Sequence, residues 1–388
     1  MVSGHLQEKK GNYYIVLNYK DSFGKRKSKW IPTDLPVKGN KKRAEALLLE
    51  ARRSFTPEEQ TPPEELLFSD FLLNWLKIIR PTLSETTYAT YYGNATKTIA
   101  PYFRKAGITL QALKPIDIQN FYLIQLERVK AMTVVHYHAL IHKALKYAVK
   151  LELIPSNPAD RVERPKPERY AASFYDAKET EALFAAAKGT ALEIPVFLGA
   201  FYGLRRSEVI GLKWSAVNFE QNTITVDHTV TSFYMNGTRT DVAKDSAKTK
   251  SSLRTLPLVP AFRAMLLQQK EQQQEYRRLC GRSYDLRYTD YVCVNPMGQL
   301  LKPQHLTRQF KAFLEKNSLR PIRFHDLRHS CASLMLANGV PMKHIQEWLG
   351  HSDFSTTANI YSHLDYQAKI SSAEAMSAGL SGALSALV

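Results

Sequence analysis

Residues 321–364 constrain this chain more than any other stretch. They hold His325-Asp326-Leu327-Arg328-His329, then Leu349-Gly350-His351-Ser352, then Ile360-Tyr361-Ser362-His363. Leu327, Cys331, Leu334 and Met335 recur at helical spacing, so a helix is expected over 325–337. Asn338-Gly339 is a stop signal. Pro341 suits the first turn of a second helix, which buries Ile345, Trp348 and Leu349 and ends at Gly350. Ser355-Thr356-Thr357 offers an N-cap for a third helix carrying Tyr361. His325 and Arg328, three apart, share a face of the first helix or its N-terminal edge. Asp326 and His329 read as cap and helix-packing residues. His351 falls in a tight turn just past the second helix, which can bring it back toward that face. In this arrangement a basic cluster can hold a phosphate while Tyr361 attacks it. An H-x-x-R pair alone is ordinarily solvated or capping, so only the conjunction is informative, and it needs a distant partner.

Gly203-Leu204-Arg205-Arg206-Ser207-Glu208 supplies one. Gly203 permits a sharp bend and Ser207 can cap a new helix. Arg205 then stands at a helix–helix corner, pointing into a cleft, where Glu208 can orient it by a charge-assisted hydrogen bond. Strands are expected at 223–230, 233–234 and 253–259. Lys248-Thr249-Lys250-Ser251-Ser252 between the last two is a basic hairpin tip, whose lysine is able to reach a cleft and donate a proton. Helices are expected at 176–188, 191–202, 260–279 and 304–317. The sequence has no G-x-x-x-x-G-K-[ST] loop and no paired-carboxylate metal motif, so the expected chemistry needs neither ATP nor a metal, and no cofactor.

Charge names the partner. Fifty-three Lys and Arg against 36 Asp and Glu give a formal net charge of +17 over 388 residues, which favours a polyanion such as nucleic acid. Cys280, Cys293 and Cys331 are odd in number and lack metal-ligand spacing, as expected of reduced thiols in a cytoplasm. There is no apolar run of membrane-spanning length, and the polar start, residues 1–12, lacks a signal-peptide core.

The chain divides into three. Residues 1–55 form a very basic module, with 13 Lys or Arg against five Asp or Glu through Arg53. Strands are expected at 13–19 and 25–31, followed by a helix at 41–53. Basic residues interleave with aromatics across the hairpin, which suits a sheet lying on DNA. A proline-rich linker covers 56–63. Residues 64–160 read as all-helical, with His138 and His142 at the i,i+4 spacing of metal ligands. No Cys or acidic cluster completes that site, and the pair is expected on a polar or DNA-facing surface. Residues 161–170 are a basic, proline-rich tether to a mixed region, 172–388.

Together these segments resemble the tyrosine recombinase, or phage-integrase, family, and most closely its members from conjugative transposons and temperate phages. The resemblance rests on Gly203 to Glu208, Lys248-Thr249-Lys250 before Arg254-Thr255-Leu256-Pro257-Leu258, His325 to Ser330, Leu349 to Asp353, and Ile360 to His363, all in the family's order. It implies a multidomain, mainly α architecture with small β-sheets. The parts would be an arm-type DNA-binding module at 1–55, a helical core-binding domain at 64–160, and a mixed α/β catalytic domain at 172–388. It implies the catalytic set Arg205, Lys248, His325, Arg328, His351 and Tyr361, with Lys250 close enough to exchange with Lys248. Ala216, after Trp214, stands where many members carry an acidic residue. The implied activity is metal- and ATP-independent cleavage and rejoining of double-stranded attachment sites through a 3′-phosphotyrosine, by a homotetramer on DNA in a bacterial cytoplasm. It leaves room for a directionality factor or a host DNA-bending protein. The alternatives are a non-cleaving regulator and a type IB topoisomerase-like relaxation. A helical tail after Leu364 can pack on its own domain or on a neighbour.

Overall fold

The computed structural model describes residues 3–20, 26–55, 66–168, 173–245, 253–350 and 376–377, and it divides into two units, Met1–Arg169 and Tyr170–Val388. Among the described residues, no helix is long and apolar enough to cross a membrane.

The first unit opens with an antiparallel sheet, β1 (Ser3–Lys9), β2 (Asn12–Lys20) and β3 (Arg26–Pro36), in that order. Helix α1 (Lys41–Ser54) covers one face, with Ala44 buried against it. Tyr13, Ile15 and Leu17 alternate toward the helix. Gly4 belongs to the same face: a side chain there would meet Leu17 and Leu48. The opposite face carries Tyr14 and Trp30, with the Lys9 ammonium 5.3 Å from the Trp30 ring. The strand β1 escapes the sequence reading because Ser3–Lys9 has neither alternation nor β-branched residues, and it forms by backbone pairing from a tight turn. Lys10 (φ 51°) and Gly11 (φ 79°) both take left-handed conformations in that turn, the signature of a two-residue hairpin.

A helical bundle follows: α2 (Phe68–Ile79), α3 (Glu85–Asn94), α4 (Ala100–Lys105), α5 (Pro115–Leu126) and α6 (Ala131–Lys150). Ser84 caps α3, as its sequence position predicts, accepting from the Thr87 amide. A π-turn at Ala95–Ile99 joins α3 to α4. Phe68, Trp75, Phe103, Phe121 and Tyr122 fill the core. His138 corrects the expectation of a polar surface. It is buried, and its Nδ1 lies 2.8 Å from the Tyr122 hydroxyl, while His142 Nε2 pairs with Asp160 at 2.7 Å. Burial, helped by His142 and Arg164, pushes His138 down to about 4, so it is a neutral core imidazole. The start of the expected tether is also docked: Gln119 accepts from the Glu163 amide at 3.1 Å.

The second unit runs α7 (Ala177–Ala187), α8 (Glu193–Ala200), α9 (Arg206–Gly211), β4 (Val217–Asn218), β5 (Thr223–Val226), β6 (His228–Met235), β7 (Thr238–Asp245), β8 (Arg254–Pro257), α10 (Pro260–Cys280), α11 (Pro303–Lys316), α12 (Asp326–Ala337) and α13 (Met342–Leu349). The expected single strand 223–230 breaks at Asp227. Its first half pairs in the sheet β4-β5-β8, and its second half, among the described residues, pairs with β7 alone. β7 went unread because its face is mostly charged and exposed, although Asn236-Gly237, both at positive φ, is a strong hairpin signal. The main core gathers Phe262, Phe310, Phe324, Leu327 and their neighbours. A satellite of Cys331, Ala332, Ile345 and Leu349 joins α12 to α13.

Candidate active site

The site grows from two corners. At the first, the chain leaves α8 and turns at Gly203, whose φ of +64° is the left-handed region that glycine adopts without strain. A side chain at Gly203 would also lie 2.4 Å from a Leu349 methyl and 3.2 Å from Cys331 Sγ. The turn therefore sits directly on the α12–α13 pair. Helix α9 then begins at Arg206 with Arg205 as its N-cap residue. Ser207 makes no cap, contrary to the sequence expectation. Glu208 does that work by accepting from the Arg205 amide at 2.9 Å.

At the second corner, α13 ends in Gly350 at φ 68°. A helix end leaves carbonyls without intrahelical partners. Here three successive ones are taken by three arginines. Arg254 Nε donates to the Trp348 carbonyl at 2.8 Å, Arg328 to that of Leu349 at 2.7 Å, and Arg205 to that of Gly350 at 3.0 Å. The partial negative charge of a helix C-terminus favours cations at this place. Arg328 also donates to the Gly203 carbonyl at 2.7 Å, which ties the two corners together. Trp348 stacks on Tyr202, with ring planes 5° apart, and so sets the height of the helix end.

One carboxylate serves this cluster. Glu208, 3% exposed, accepts from Arg205 at 2.7 Å and from Arg254 at 2.9 Å. Burial pushes its carboxyl up, but Arg254 and then Arg205 overcome this and hold it down to about 2. Arg328 is 2% exposed. Burial and the nearby Arg205 push it down to about 9, so it keeps its charge at neutral pH.

Of the sequence-predicted set, Arg205, His325 and Arg328 are thus brought together. His325 is the N-cap residue of α12, three residues before Arg328, with its ring 5.3 Å from that of half-buried His329. Although His325 as a whole remains exposed, crowding of its ring by protein and the charges of its neighbours pull it below the ordinary imidazole value. It is therefore neutral at pH 7 and can accept a proton. Asp326 is fully buried and accepts from the Arg323 amide at 2.8 Å and from its guanidinium, so it pins the chain entering α12 and does not cap the helix's own amides. Lys248, Lys250, His351 and Tyr361 lie outside the described residues.

Sequence reasoning missed Arg254. A signal was present: in β8 Arg254 and Leu256 alternate inward while Thr255 and Pro257 face out, so the period-2 rule places a cation on a core face. Such a residue requires a buried partner. Ala216 leaves its turn without an acid of its own. Asp290 supplies one from across the fold, accepting from the amide and hydroxyl of neighbouring Ser215.

Comparison with known proteins agrees with this geometry. Residues 173–368 match the phage integrase family, and residues 67–123 match the phage integrase N-terminal SAM-like domain. A tyrosine recombinase XerC-like protein of Caldanaerobacter subterraneus subsp. tengcongensis is 27% identical over 336 residues, covering 81% of this chain and 83% of the relative. The ICEBs1 integrase of Bacillus subtilis is 25% identical over 334 residues, 85% and 88% of the two chains. The Tn1549 transposon integrase, solved in complex with a circular intermediate DNA, superposes with a TM-score of 0.61 at 16% identity, covering 76% of this chain and 94% of that one. A lambda integrase tetramer bound to a Holliday junction gives 0.54 at 17%, covering 90% and 95%. Motif order, fold and family match converge: this chain belongs to the phage integrase family and is a tyrosine site-specific recombinase.

Proposed function

We propose that the protein integrates or excises a mobile element by cutting duplex DNA at attachment sites through a 3′-phosphotyrosine on Tyr361. The observation that carries this reading is the convergence of Arg205 and Arg328 on the Gly350 and Leu349 carbonyls, immediately before His351. A phosphodiester resists attack because its charge repels the nucleophile and grows on the equatorial oxygens. Two rigid guanidinium forks suit those oxygens, and a water-poor setting strengthens the interaction.

Tyr361 then attacks phosphorus in line, the 5′ oxygen leaves, and Lys248, or Lys250 in its place, protonates it. His325, neutral at working pH, takes the tyrosine proton or hydrogen-bonds the phosphate, and His351 does the latter. The energy of the broken bond stays in the phosphotyrosine, so a second strand's 5′-hydroxyl reverses the step and joins the strands. In this proposal residues 1–55 hold arm-type DNA, 64–160 grip the core site and 172–388 carry the chemistry. Four copies act on two duplexes in the cytoplasm. The +17 charge and the aromatic, lysine-flanked sheet face support a DNA partner.

A nicked suicide substrate and a denaturing gel test the reading. Wild type should trap a covalent adduct. Tyr361→Phe should bind the same duplex and trap none; a persistent adduct rules Tyr361 out as the nucleophile. Arg205→Ala and Arg328→Ala should keep duplex binding and lose about 100- to 1000-fold in cleavage rate.

A further inference from the structure

We infer that Arg254 is a positioning residue of the recombination reaction, holding Arg205 and the end of α13 in mutual register from the start of β8. The inference rests on the recombinase reading above. Arg254 is buried, and its guanidinium bridges two elements. Nη2 and Nη1 donate to Glu208 at 2.9 and 3.4 Å, while Nε donates to the Trp348 carbonyl at 2.8 Å. Glu208 in turn holds both the Arg205 side chain and the Arg205 amide. The chain leaving Trp348 passes through Gly350 into the segment bearing His351 and Tyr361. The chain arriving at Arg254 comes from the segment bearing Lys248. One planar fork therefore bridges Glu208, which holds Arg205, and the C-terminal end of α13.

The residue's fixed place in β8 makes this possible. Arg254 is paired in register with Val226, so strand hydrogen bonds, not side-chain chance, set its Cα. Arg328 and Arg205 are the other cations facing Glu208. Arg254 donates to Glu208 and to the Trp348 carbonyl, so its effect passes through them. Lysine cannot replace it, because one ammonium cannot serve a carboxylate and a carbonyl in two directions with planar geometry.

The test compares the full-length wild type, Arg254→Lys and Arg254→Gln in single-turnover adduct formation on the suicide substrate across pH, alongside duplex affinity and thermal unfolding. Misplacement of a catalytic group by about 1 Å lowers rate by about 100-fold. Arg254→Lys should lose rate on that scale while duplex affinity stays at the wild-type level. Arg254→Gln removes the main charge that keeps Glu208 ionised, so the acid limb of its rate profile should move to higher pH than in wild type. An unchanged rate in Arg254→Lys overturns the inference. So does a rate loss matched by lost affinity or unfolding with no displacement of the acid limb in either variant, since that marks a merely structural arginine. Absence of adduct from wild type would instead remove the recombinase reading itself.

Discussion

Gly203 shows how tightly single residues are committed at this site. Its backbone sits at φ +64°, its carbonyl accepts from Arg328, and the space where a side chain would stand is filled by Leu349. Gly203→Ala should therefore combine left-handed strain of about 1–2 kcal/mol with overpacking of about 1–3 kcal/mol. Urea unfolding should show a loss of about 2–5 kcal/mol in all, and cleavage should fall with it, because Arg328 loses a fixed acceptor. An alanine variant as stable as wild type would show that α13 can move away freely. That Arg205, Arg328 and His325 fall close together was legible from short motifs standing in the family's order. Arg254 was not, because its role depends on Glu208 and Trp348, which lie far from it in the chain. The cap on α9 was misassigned to Ser207 because serine is a common cap, whereas here Glu208 reaches back to the Arg205 amide.

At the scale of elements, helices were more legible than strands. The helices at 41–53, 176–188, 260–279 and 304–317 appear within a few residues of their expected bounds, since apolar spacing and capping are local signals. Strands β1 and β7 were missed because they lie exposed and polar, and pairing rather than pattern creates them. Helices α5 and α6 carry a titratable lock in the Tyr122–His138 contact. His138 stays neutral in the fold down to about pH 4, whereas an unfolded histidine protonates near 6.5. Between those values the unfolded chain binds more protons, so stability falls as pH drops from 6.5 toward 4. The loss reaches at most about 3 kcal/mol. Thermal unfolding across that window should show this slope in wild type and a flatter one in His138→Gln. Equal slopes would place the acid sensitivity elsewhere.

Across the whole molecule, the excess of cations makes DNA affinity a matter of salt. If six to ten phosphates are neutralised, duplex affinity should fall about 10³- to 10⁵-fold between 50 and 200 mM salt. Fluorescence anisotropy on a core-site duplex measures it, and a shallow slope would mean that few phosphates are held. The three guanidiniums at the end of α13 add a different consequence. Cations packed so closely would drive one another apart, yet Glu208 and three main-chain oxygens offset part of that repulsion from within. The resting cluster thus stands assembled on partners of its own, and on the proposed reading a scissile phosphate would meet scaffolding built before any DNA is present.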